Sequence, residues 1–358
     1  MNYKKMRVLH ILKYALYTKA FIEFTNKYFN SQEHIFLVYG EKREDSFMVK
    51  NAENVIFVDN IHIKNPIINE LIFKSEKIII HANNIFITKL ILKNPKILKK
   101  AYMIFWGFDI YTFKEENKSF KEKIWDKLAK YQISNVKGVC TLVDKDYQEL
   151  QKYIPKIKGK HFKARYFISE NYDYRNKLRG SNQHTESTYI LLGNSASETN
   201  SHIEILEKMR IYADENIKII CPLSYGSKEY GNNIIKLGKE IFKDKFIPLT
   251  ELLALEEYEK IISKCSIGIF NNNRQQGMGN ISALLSYGAK VFIRSDTTMW
   301  ESFVDKKYNI YDISEVGKSN WNDIKYISSE KANENYKIDK ENSSNILKKD
   351  IWEKIYCD

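Results

Sequence analysis

Residues 265–303 read CSIGIFNNNRQQGMGNISALLSYGAKVFIRSDTTMWESF, and no other stretch of the sequence is as informative about the fold. An apolar run from Ser266 to Phe270 predicts a buried strand that ends in a polar loop. A Gly-Met-Gly turn at 277–279 then opens a helical run, Ile281 to Tyr287, and Val291 to Ile293 predicts the next strand. Strand, glycine turn, helix and strand in this order indicate a parallel α/β sheet.

The start of the predicted helix suits a phosphate-bearing ligand. The first turn of a helix exposes unpaired N–H groups at the positive end of the helix dipole, and glycine lets a diphosphate approach the backbone. Arg274, Gln275 and Gln276 add a cation and two amides beside this turn. The alternative is that the glycines only turn the chain. Asp296, after the next strand, fits either a ribose-binding acid or a helix cap.

Length and composition limit the class of protein. A chain of 358 residues with 43% hydrophobic residues predicts a globular protein of two domains. It has no apolar run of 18 residues, and its start predicts a strand rather than a signal peptide. Four cysteines lie far apart without a Cys-x-x-Cys pair, which argues against a zinc site or a disulfide framework and suits a reducing cytoplasm.

Charged residues are distributed unevenly along the chain. Residues 1–180 contain 34 Lys and Arg against 19 Asp and Glu, a net charge of +15, whereas the remainder has 23 against 26, a net charge of −3. A basic half is attracted to an anionic surface, either phospholipid or nucleic acid. No nucleic-acid-binding module is recognisable, so a membrane surface is the preferred partner and no nucleic acid is expected. The abundance of Lys, Asn and Ile together also fits AT-rich codon usage.

Two series of alternating strands and helices are predicted, and a polar segment, GSNQHTES at 180–187, separates them. The sequence therefore predicts an N-terminal Rossmann-like domain over residues 1–180 and a C-terminal one over 187–327. Residues 328–358 are expected to form a polar segment and a final helix. Ligands bind beyond the carboxyl ends of parallel strands, and the unusual residues of this chain follow predicted strands.

In the first half, Asp109 and His81 are the candidates for a general base. Asp109 lies in FWGFDIY at 105–111, where Trp106 and Tyr111, together with Tyr102, are able to form a sugar-stacking wall. The alternative for this segment is a core aromatic cluster with Asp109 as a helix cap or turn residue. The alternative for His81 is a structural histidine. Asp144 and Asp146 form an Asp-x-Asp, which is interpreted as Asp144 capping a helix, with acids in the first turn, rather than as a metal site.

In the second half, LLGNSASETNSHIEIL at 191–206 predicts another strand, loop and helix. Asn194, Ser195, Asn200 and His202 are able to donate hydrogen bonds to a phosphate or a sugar. The alternative is ordinary capping, with Asn200 or Ser201 as the N-cap. Walker A, nucleophile-elbow, His-Glu-x-x-His and kinase signatures are absent from the sequence, which excludes the enzymes that depend on them.

Three segments resemble glycosyltransferase family 56: GNSASETNSH at 193–202, the run from Leu249 to Leu253, and NRQQGMGNISALLSYGAKVFIRSDTTMW at 273–300. The first half is similar in order, with VLHIL at 8–12, a strand that ends in His81, and Trp106-Gly-x-Asp109. Cys221 to Tyr225 is similar to a Val-Pro-x-Gly-Tyr turn of the family. Family members of the enterobacterial type transfer 4-acetamido-4,6-dideoxygalactose (Fuc4NAc) from a dTDP donor to a polyprenyl-diphosphate-linked sugar.

The resemblance implies an α/β fold of GT-B type, with two Rossmann-like domains facing a central cleft. It implies a metal-independent hexosyltransferase without a cofactor, active in surface-polysaccharide biosynthesis of the enterobacterial common antigen type. The expected partners are a dTDP-sugar, or else a UDP-sugar, a polyprenyl-diphosphate-linked acceptor, and the anionic cytoplasmic face of the inner membrane, to which the protein would bind peripherally. Transfer of a different nucleotide sugar and a non-catalytic sugar-nucleotide-binding protein remain the alternatives.

The resemblance also implies roles for individual residues. Asp109 and His81 are the expected catalytic residues. The expected acceptor-binding residues are His10, Trp106 and Tyr111. The expected donor-binding residues are Gly193, Asn194, Ser195, Asn200, His202, Tyr225, Glu251, Arg274, Gln275, Gln276, Gly277 and Gly279.

Overall fold

The structure is a computed structural model that describes residues 7–40, 52–58, 66–115, 117–166, 172–181 and 186–358. The chain forms two compact units, one of residues 1–170 with 345–358 and the other of residues 171–344. Each unit is an α/β sandwich built on one parallel sheet. Along the described ranges, no helix combines the length and the apolarity that crossing a bilayer requires.

The first unit has a seven-stranded parallel sheet in the order β3-β2-β1-β4-β5-β6-β7. Its strands are β1 Val8–Lys13, β2 His34–Tyr39, β3 Val55–Val58, β4 Lys77–Ile80, β5 Ala101–Phe105, β6 Gly138–Thr141 and β7 Lys160–Lys163. Its helices are α1 Leu16–Tyr28, α2 Pro66–Lys74, α3 Ile85–Lys93, α4 Phe108–Tyr111, α5 Phe120–Asn135, α6 Asp144–Tyr153 and α15 Asn345–Cys357. β1, β2 and β4 are almost wholly buried because helices cover both faces of the sheet.

The two faces of this sheet are covered by different helices. Helices α2 to α6 pack their apolar side chains on one face, whose core includes Leu9, Leu37 and Ile80. Helices α1 and α15 cover the other face, with Phe21 and Trp352 fully buried against it. Side chains of successive strand residues alternate between these two faces.

The second unit has a six-stranded parallel sheet in the order β10-β9-β8-β11-β12-β13. Its strands are β8 Thr188–Leu192, β9 Ile217–Pro222, β10 Phe246–Leu249, β11 Cys265–Phe270, β12 Lys290–Ile293 and β13 Tyr311–Asp312. Its helices are α7 Tyr172–Leu178, α8 His202–Met209, α9 Lys228–Phe242, α10 Leu255–Ile262, α11 Met278–Tyr287, α12 Thr298–Asp305, α13 Trp321–Lys325 and α14 Ser329–Asn342.

The division into units differs from the expected boundaries at both ends of the second unit. It falls between residues 170 and 171, ahead of the expected linker, of which 182–185 lie outside the described residues. Arg175 of α7 forms a buried ion pair with Glu259, 2.8 Å between Nη2 and Oε1, which ties α7 to the second unit. The last helix returns to the first unit, where Trp352 donates its indole N–H to the carbonyl of Arg165 at 2.8 Å.

Candidate functional site

The polar residues of the second unit gather where its strand order reverses. β8 and β11 are neighbours, but the connection from β8 leads to β9 on one side, and that from β11 leads to β12 on the other. The crevice outside the carboxyl ends of two such strands is the usual ligand site of an open α/β sheet. Gly193 follows β8 and Asn271 follows β11, so both predicted donor-binding loops start there.

The turn after β8 requires glycine. Gly193 has φ +67°, and a Cβ at this position would lie 2.3 Å from Nε2 of His202 and 2.9 Å from Oδ1 of Asn200. The same Oδ1 accepts a hydrogen bond from the backbone N–H of Asn194 at 2.9 Å. Asn200 therefore holds the turn instead of capping α8. Ser201, the N-cap, makes no side-chain capping bond, so neither residue acts as the alternative interpretation expected.

Asn194 joins the two loops. Its Oδ1 accepts hydrogen bonds from the side-chain amides of Asn272 and Gln276, each at 3.3 Å. Its own amide group donates a hydrogen bond of 3.0 Å to the hydroxyl of Tyr225, which lies in the loop after β9. Gly277, at φ +68°, passes so close that a Cβ there would lie 3.2 Å from the Asn194 oxygen. One buried amide thus fixes the glycine turn that precedes α11.

The N-terminus of α11 carries no side-chain cap. Gly277 is the N-cap residue, and the helix begins at Met278 with Gly279 as its second residue. The Arg274 guanidinium lies at this turn and donates to the carbonyl of Gln275 at 3.3 Å. An uncapped helix start beside a guanidinium is suited to binding an anion.

Several buried polar atoms around these loops have no hydrogen-bond partner among the described residues. They are Nε2 of His202, Oδ1 of Asn271, Oδ1 of Asn272 and Oε1 of Gln275. Burial lowers the pKa of His202 to about 4, so its imidazole is neutral near pH 7. Unsatisfied buried polar atoms are costly, so four of them around two adjoining loops mark this region as unusual.

Not every expected donor residue belongs to this cluster. Ser195 does, because its hydroxyl accepts from the Asn200 amide at 3.3 Å. Glu251 is exposed on the loop after β10, outside the bonds that converge on Asn194. Asp296 forms an exposed ion pair with Arg294, 2.6 Å between Oδ2 and Nη2, and Thr297 caps α12 instead.

Thr199 and Asn272 complete the network, although sequence reasoning did not single them out. The Thr199 hydroxyl donates to Oε1 of Gln276 at 2.7 Å. Asn272 donates to the Gln276 carbonyl at 3.3 Å as well as to Asn194. Both are polar residues that follow a strand within a few positions, and that signal was available in the sequence.

In the first unit, Asp109 lies just after β5, 2% exposed. Its Oδ2 accepts from the backbone N–H of Asn83 at 3.1 Å, and its Oδ1 accepts from the N–H of Trp106 at 2.9 Å. Burial raises the pKa of this carboxyl to about 7, and the two N–H donors oppose the shift. The side chain is therefore a carboxylate poised near neutrality that also joins the loops after β4 and β5.

A row of buried histidines follows the face of the sheet that α1 and α15 cover. Nδ1 of His10 lies 3.0 Å from Nε2 of His81, and Nε2 of His10 lies 3.0 Å from Nδ1 of His34. The other ring nitrogen of His81 is hydrogen-bonded to the hydroxyl of Tyr166. Burial holds the pKa of His10 and of His81 well below the ordinary value, so the row is neutral near pH 7.

The expected acceptor-binding residues occupy different surroundings. His10 is fully buried, and its two ring nitrogens lie 3.0 Å from those of His81 and His34, so its side chain is not exposed to a ligand. Trp106 is half-buried, with its ring centroid 4.2 Å from that of Tyr17 and its indole N–H donating to the His81 carbonyl at 2.9 Å. Tyr111 packs against the core beneath α4.

No group of three or more His, Cys, Asp or Glu is arranged to hold a metal ion in the part of the chain that the structure describes. Of the Asp-x-Asp pair, Asp144 is the first residue of α6 and not its N-cap, which is Val143. Asp144 forms an ion pair with Lys163, 2.6 Å between Oδ2 and Nζ. Asp146 is fully buried in the same turn.

Comparison with protein families gives one match over most of the chain. The model of the family described as 4-alpha-L-fucosyltransferase, glycosyl transferase group 56, matches residues 11–326. The matched range contains both sets of candidate site residues, apart from His10, which lies one position ahead of it.

Comparison with solved structures gives matches over nearly the whole chain at low identity. A glycosyltransferase from Rickettsia africae is 12% identical, with a TM-score of 0.61 over 98% of each chain. An α,α-trehalose-phosphate synthase (UDP-forming) from Burkholderia vietnamiensis is 6% identical, with a TM-score of 0.64 over 98% of this chain and 99% of the other. A trehalose-6-phosphate structure from E. coli bound with UDP-2-fluoro glucose is 7% identical, with a TM-score of 0.63 over 98% of each. This likeness confirms the GT-B fold.

Proposed function

The chain belongs to the glycosyltransferase group 56 family, and on that premise we propose that it transfers Fuc4NAc from dTDP to a polyprenyl-diphosphate-linked saccharide in surface-polysaccharide biosynthesis. As a member of this family it is a glycosyltransferase. The family description names a fucosyltransferase, and Fuc4NAc is a fucose-like sugar that also lacks the 6-hydroxyl. The family resemblance of the 193–202 and 273–300 segments supports this donor.

The observation that carries the proposal is the Asn194 network at the strand-order reversal of the second unit. Its hydrogen bonds hold the loop of Asn272 and Gln276, which carries Arg274 and leads through the glycine turn into the uncapped start of α11. A donor diphosphate bound there would be stabilised by N–H groups and a cation as the sugar departs. Tyr225, Gln276 and the unpartnered atoms of His202 and Gln275 are the proposed contacts for the remainder of the donor.

We assign the proton-accepting role to Asp109. The acceptor hydroxyl oxygen bonds to the anomeric carbon, the bond from that carbon to the diphosphate breaks, and the hydroxyl proton passes to the Asp109 carboxylate. A pKa near 7 suits a base that must be ionised before transfer and protonated after it. His81, held between Tyr166 and His10, would position the acceptor side of the reaction.

Two alternatives have their own support. A UDP-sugar is the alternative donor, because one of the solved structures of the same fold contains UDP-2-fluoro glucose. A non-catalytic sugar-nucleotide-binding protein is the other, because both oxygens of Asp109 already accept backbone N–H groups and the side chain is almost wholly buried.

A transfer assay separates these possibilities. The protein is incubated with matched panels of dTDP- and UDP-sugars and with lipid-linked saccharides, and products are identified by mass and by the anomeric signal in NMR. The proposal expects transfer of Fuc4NAc from its dTDP donor. Transfer only from another donor would replace the sugar, and nucleotide binding without transfer to any acceptor would identify a binding protein.

The acceptor is lipid-linked in this proposal, so the protein must work at a membrane surface. We propose peripheral binding at the cytoplasmic face of the inner membrane, supported by the net charge of +15 over residues 1–180.

A further inference from the structure

Large apolar side chains are exposed in an uneven way along the chain. Of the 17 that are exposed among the described residues, nine fall between residues 67 and 131. Five of these occupy the first two turns of three helices, and we call them the apolar rim: Ile85 and Phe86 of α3, Phe108 of α4, and Phe120 and Ile124 of α5. Phe120 is 81% exposed and Phe86 is 50% exposed, so these aromatic rings are available to a partner.

The topology brings the rim to one edge of the first unit. α3 follows β4, and α4 and α5 both lie between β5 and β6. In a parallel sheet the chain leaves each strand at the carboxyl edge, so all three helices begin at that edge. α3 and α5 are neighbours, because Gln132 donates to the Thr88 carbonyl at 2.9 Å and Lys89 lies over the Trp125 ring at 5.4 Å. His81 and Asp109 also follow β4 and β5 at this edge.

Exposed lysines accompany the rim. Lys114, Lys121, Lys123 and Lys127 are exposed on α5 and on the segment before it. Nearby acids are partly engaged: Asp126 pairs with Lys118, 2.5 Å between Oδ2 and Nζ, and Glu122 accepts from the Ser119 backbone N–H at 2.8 Å in the helix cap. Apolar side chains flanked by lysines are the composition of a surface that binds anionic lipids.

We propose that the apolar rim inserts among the headgroups of an anionic bilayer while the adjacent lysines bind the lipid phosphates. This inference rests on the proposed function, since a lipid-linked acceptor is presented at that surface. The rim follows the same strands as His81 and Asp109, so docking through it would bring the base close to the bilayer in which the lipid of the acceptor is anchored.

The test is sedimentation with phosphatidylglycerol vesicles at low and high salt, with neutral phosphatidylcholine vesicles in parallel. The rim variant is Phe86→Ser with Phe120→Ser, and the charge variant is Lys121→Gln, Lys123→Gln and Lys127→Gln. Ile211→Ser is the control, because Ile211 is 62% exposed on the second unit. Affinity of every variant for dTDP is measured by calorimetry, and an unchanged value shows that the protein is folded.

The rim variant should bind anionic vesicles at least ~100-fold more weakly, since burying each of its two Phe side chains is worth about one to two decades in affinity. The charge variant should lose most of the salt dependence, and Ile211→Ser should bind like the wild type. Equal binding by the wild type and the rim variant, equal binding to neutral vesicles, or no vesicle binding at low salt would each overturn the inference. Transfer to a water-soluble acceptor without vesicle binding would overturn the membrane-docking inference and leave the proposed function standing. Rim-dependent vesicle binding without transfer would support the docking inference and overturn the proposed function.

Discussion

Two features of its surroundings shift the pKa of Asp109 in opposite directions. Burial in the loop after β5 raises the pKa to about 7, while the N–H groups of Asn83 and Trp106 stabilise the charged form. The combination supports a base that ionises near neutral pH.

Replacing this carboxylate tests its role. Asp109→Asn should lower turnover by about 10²–10⁴, the usual cost of a lost general base, with dTDP affinity nearly unchanged. In the wild type, kcat/KM should fall tenfold for each pH unit below about 7, because the base becomes protonated, and the variant should lack this limb. His81→Gln is the matched comparison. If Asp109→Asn keeps most of its activity and His81→Gln loses it, the two roles must be exchanged.

His34 gives a prediction about stability that is independent of catalysis. Burial, with a smaller effect of Arg7, lowers its pKa to about 4 in the folded protein, below the unfolded value of about 6.5. Between these values the unfolded chain binds the proton more readily, so stability falls as pH falls from about 6.5 towards 4. At pH 5 the loss is about 2 kcal/mol for this one histidine.

Denaturant unfolding of the wild type and of His34→Gln at pH 7.5 and pH 5 measures this effect. The loss on acidification should be about 2 kcal/mol smaller in the variant. Asp109 acts in the opposite direction, since its raised pKa adds stability as pH falls below 7, but it does so equally in both proteins. Identical pH dependence of the two proteins would mean that His34 is protonated in the fold.

Sequence reasoning found the individual polar residues better than their partners. It selected His10 and His81, but not His34, because the row depends on strand register: Val8 pairs with His34 and His10 with Phe36. It expected Asn200 to bind the donor or, alternatively, to cap a helix, since an Asn before a helix is often a cap. Its actual partner, the N–H of Asn194, is set by the left-handed turn at Gly193.

The turn between β8 and α8 offers a test with an internal control. Gly193→Ala must strain a φ of +67° and also place a methyl group 2.3 Å from His202 Nε2. Gly180 has a similar φ of +84° but open space around it, so Gly180→Ala carries the backbone strain alone. Gly193→Ala should be destabilised by about 2 kcal/mol more than Gly180→Ala in urea unfolding, and should bind dTDP more weakly. Equal effects would show that the loop yields to the methyl group.

The start of α11 is tested by removing its cation. Arg274→Ala should weaken dTDP binding by about one to two decades, since a charge-assisted bond to phosphate is worth about 1.5–3 kcal/mol. Thymidine, which lacks phosphates, should bind both proteins alike. Arg210→Ala is the matched control, because Arg210 pairs with Glu207 at the end of α8. Unchanged dTDP affinity in a folded Arg274→Ala protein would remove Arg274 from the site.

Most strands and helices could be predicted because their signals are local. The helix α5 begins where Ser119 and Glu122 form a capping box, and α11 ends at Gly288 with φ +86°. The strand β11 ends at Phe270, as its apolar run indicates. Exposure of the apolar rim was not predictable in this way, because an Ile or Phe in a helix usually faces the core.

Taken as a whole, the chain has two Rossmann-like units, and both were visible in the alternation of strands and helices. The sequence did not predict which unit the last helix packs on, because α15 is amphipathic and its apolar face would fit either unit. Its place is decided by the fit of Trp352, fully buried beside Phe21 with ring centroids 4.7 Å apart. The basic half of the sequence corresponds closely to the first unit, which also carries the apolar rim.

Binding of a nucleotide-sugar diphosphate at the turn before α11 is tested most directly by a structure of the protein with dTDP bound. We expect diphosphate oxygens within hydrogen-bond distance, about 3 Å, of the first backbone N–H groups of α11 and of the Arg274 guanidinium. We also expect Asn194 or Ser195 to contact the nucleotide from the loop after β8. A diphosphate bound at any other place, with the start of α11 unoccupied, would show that this turn is not the donor site.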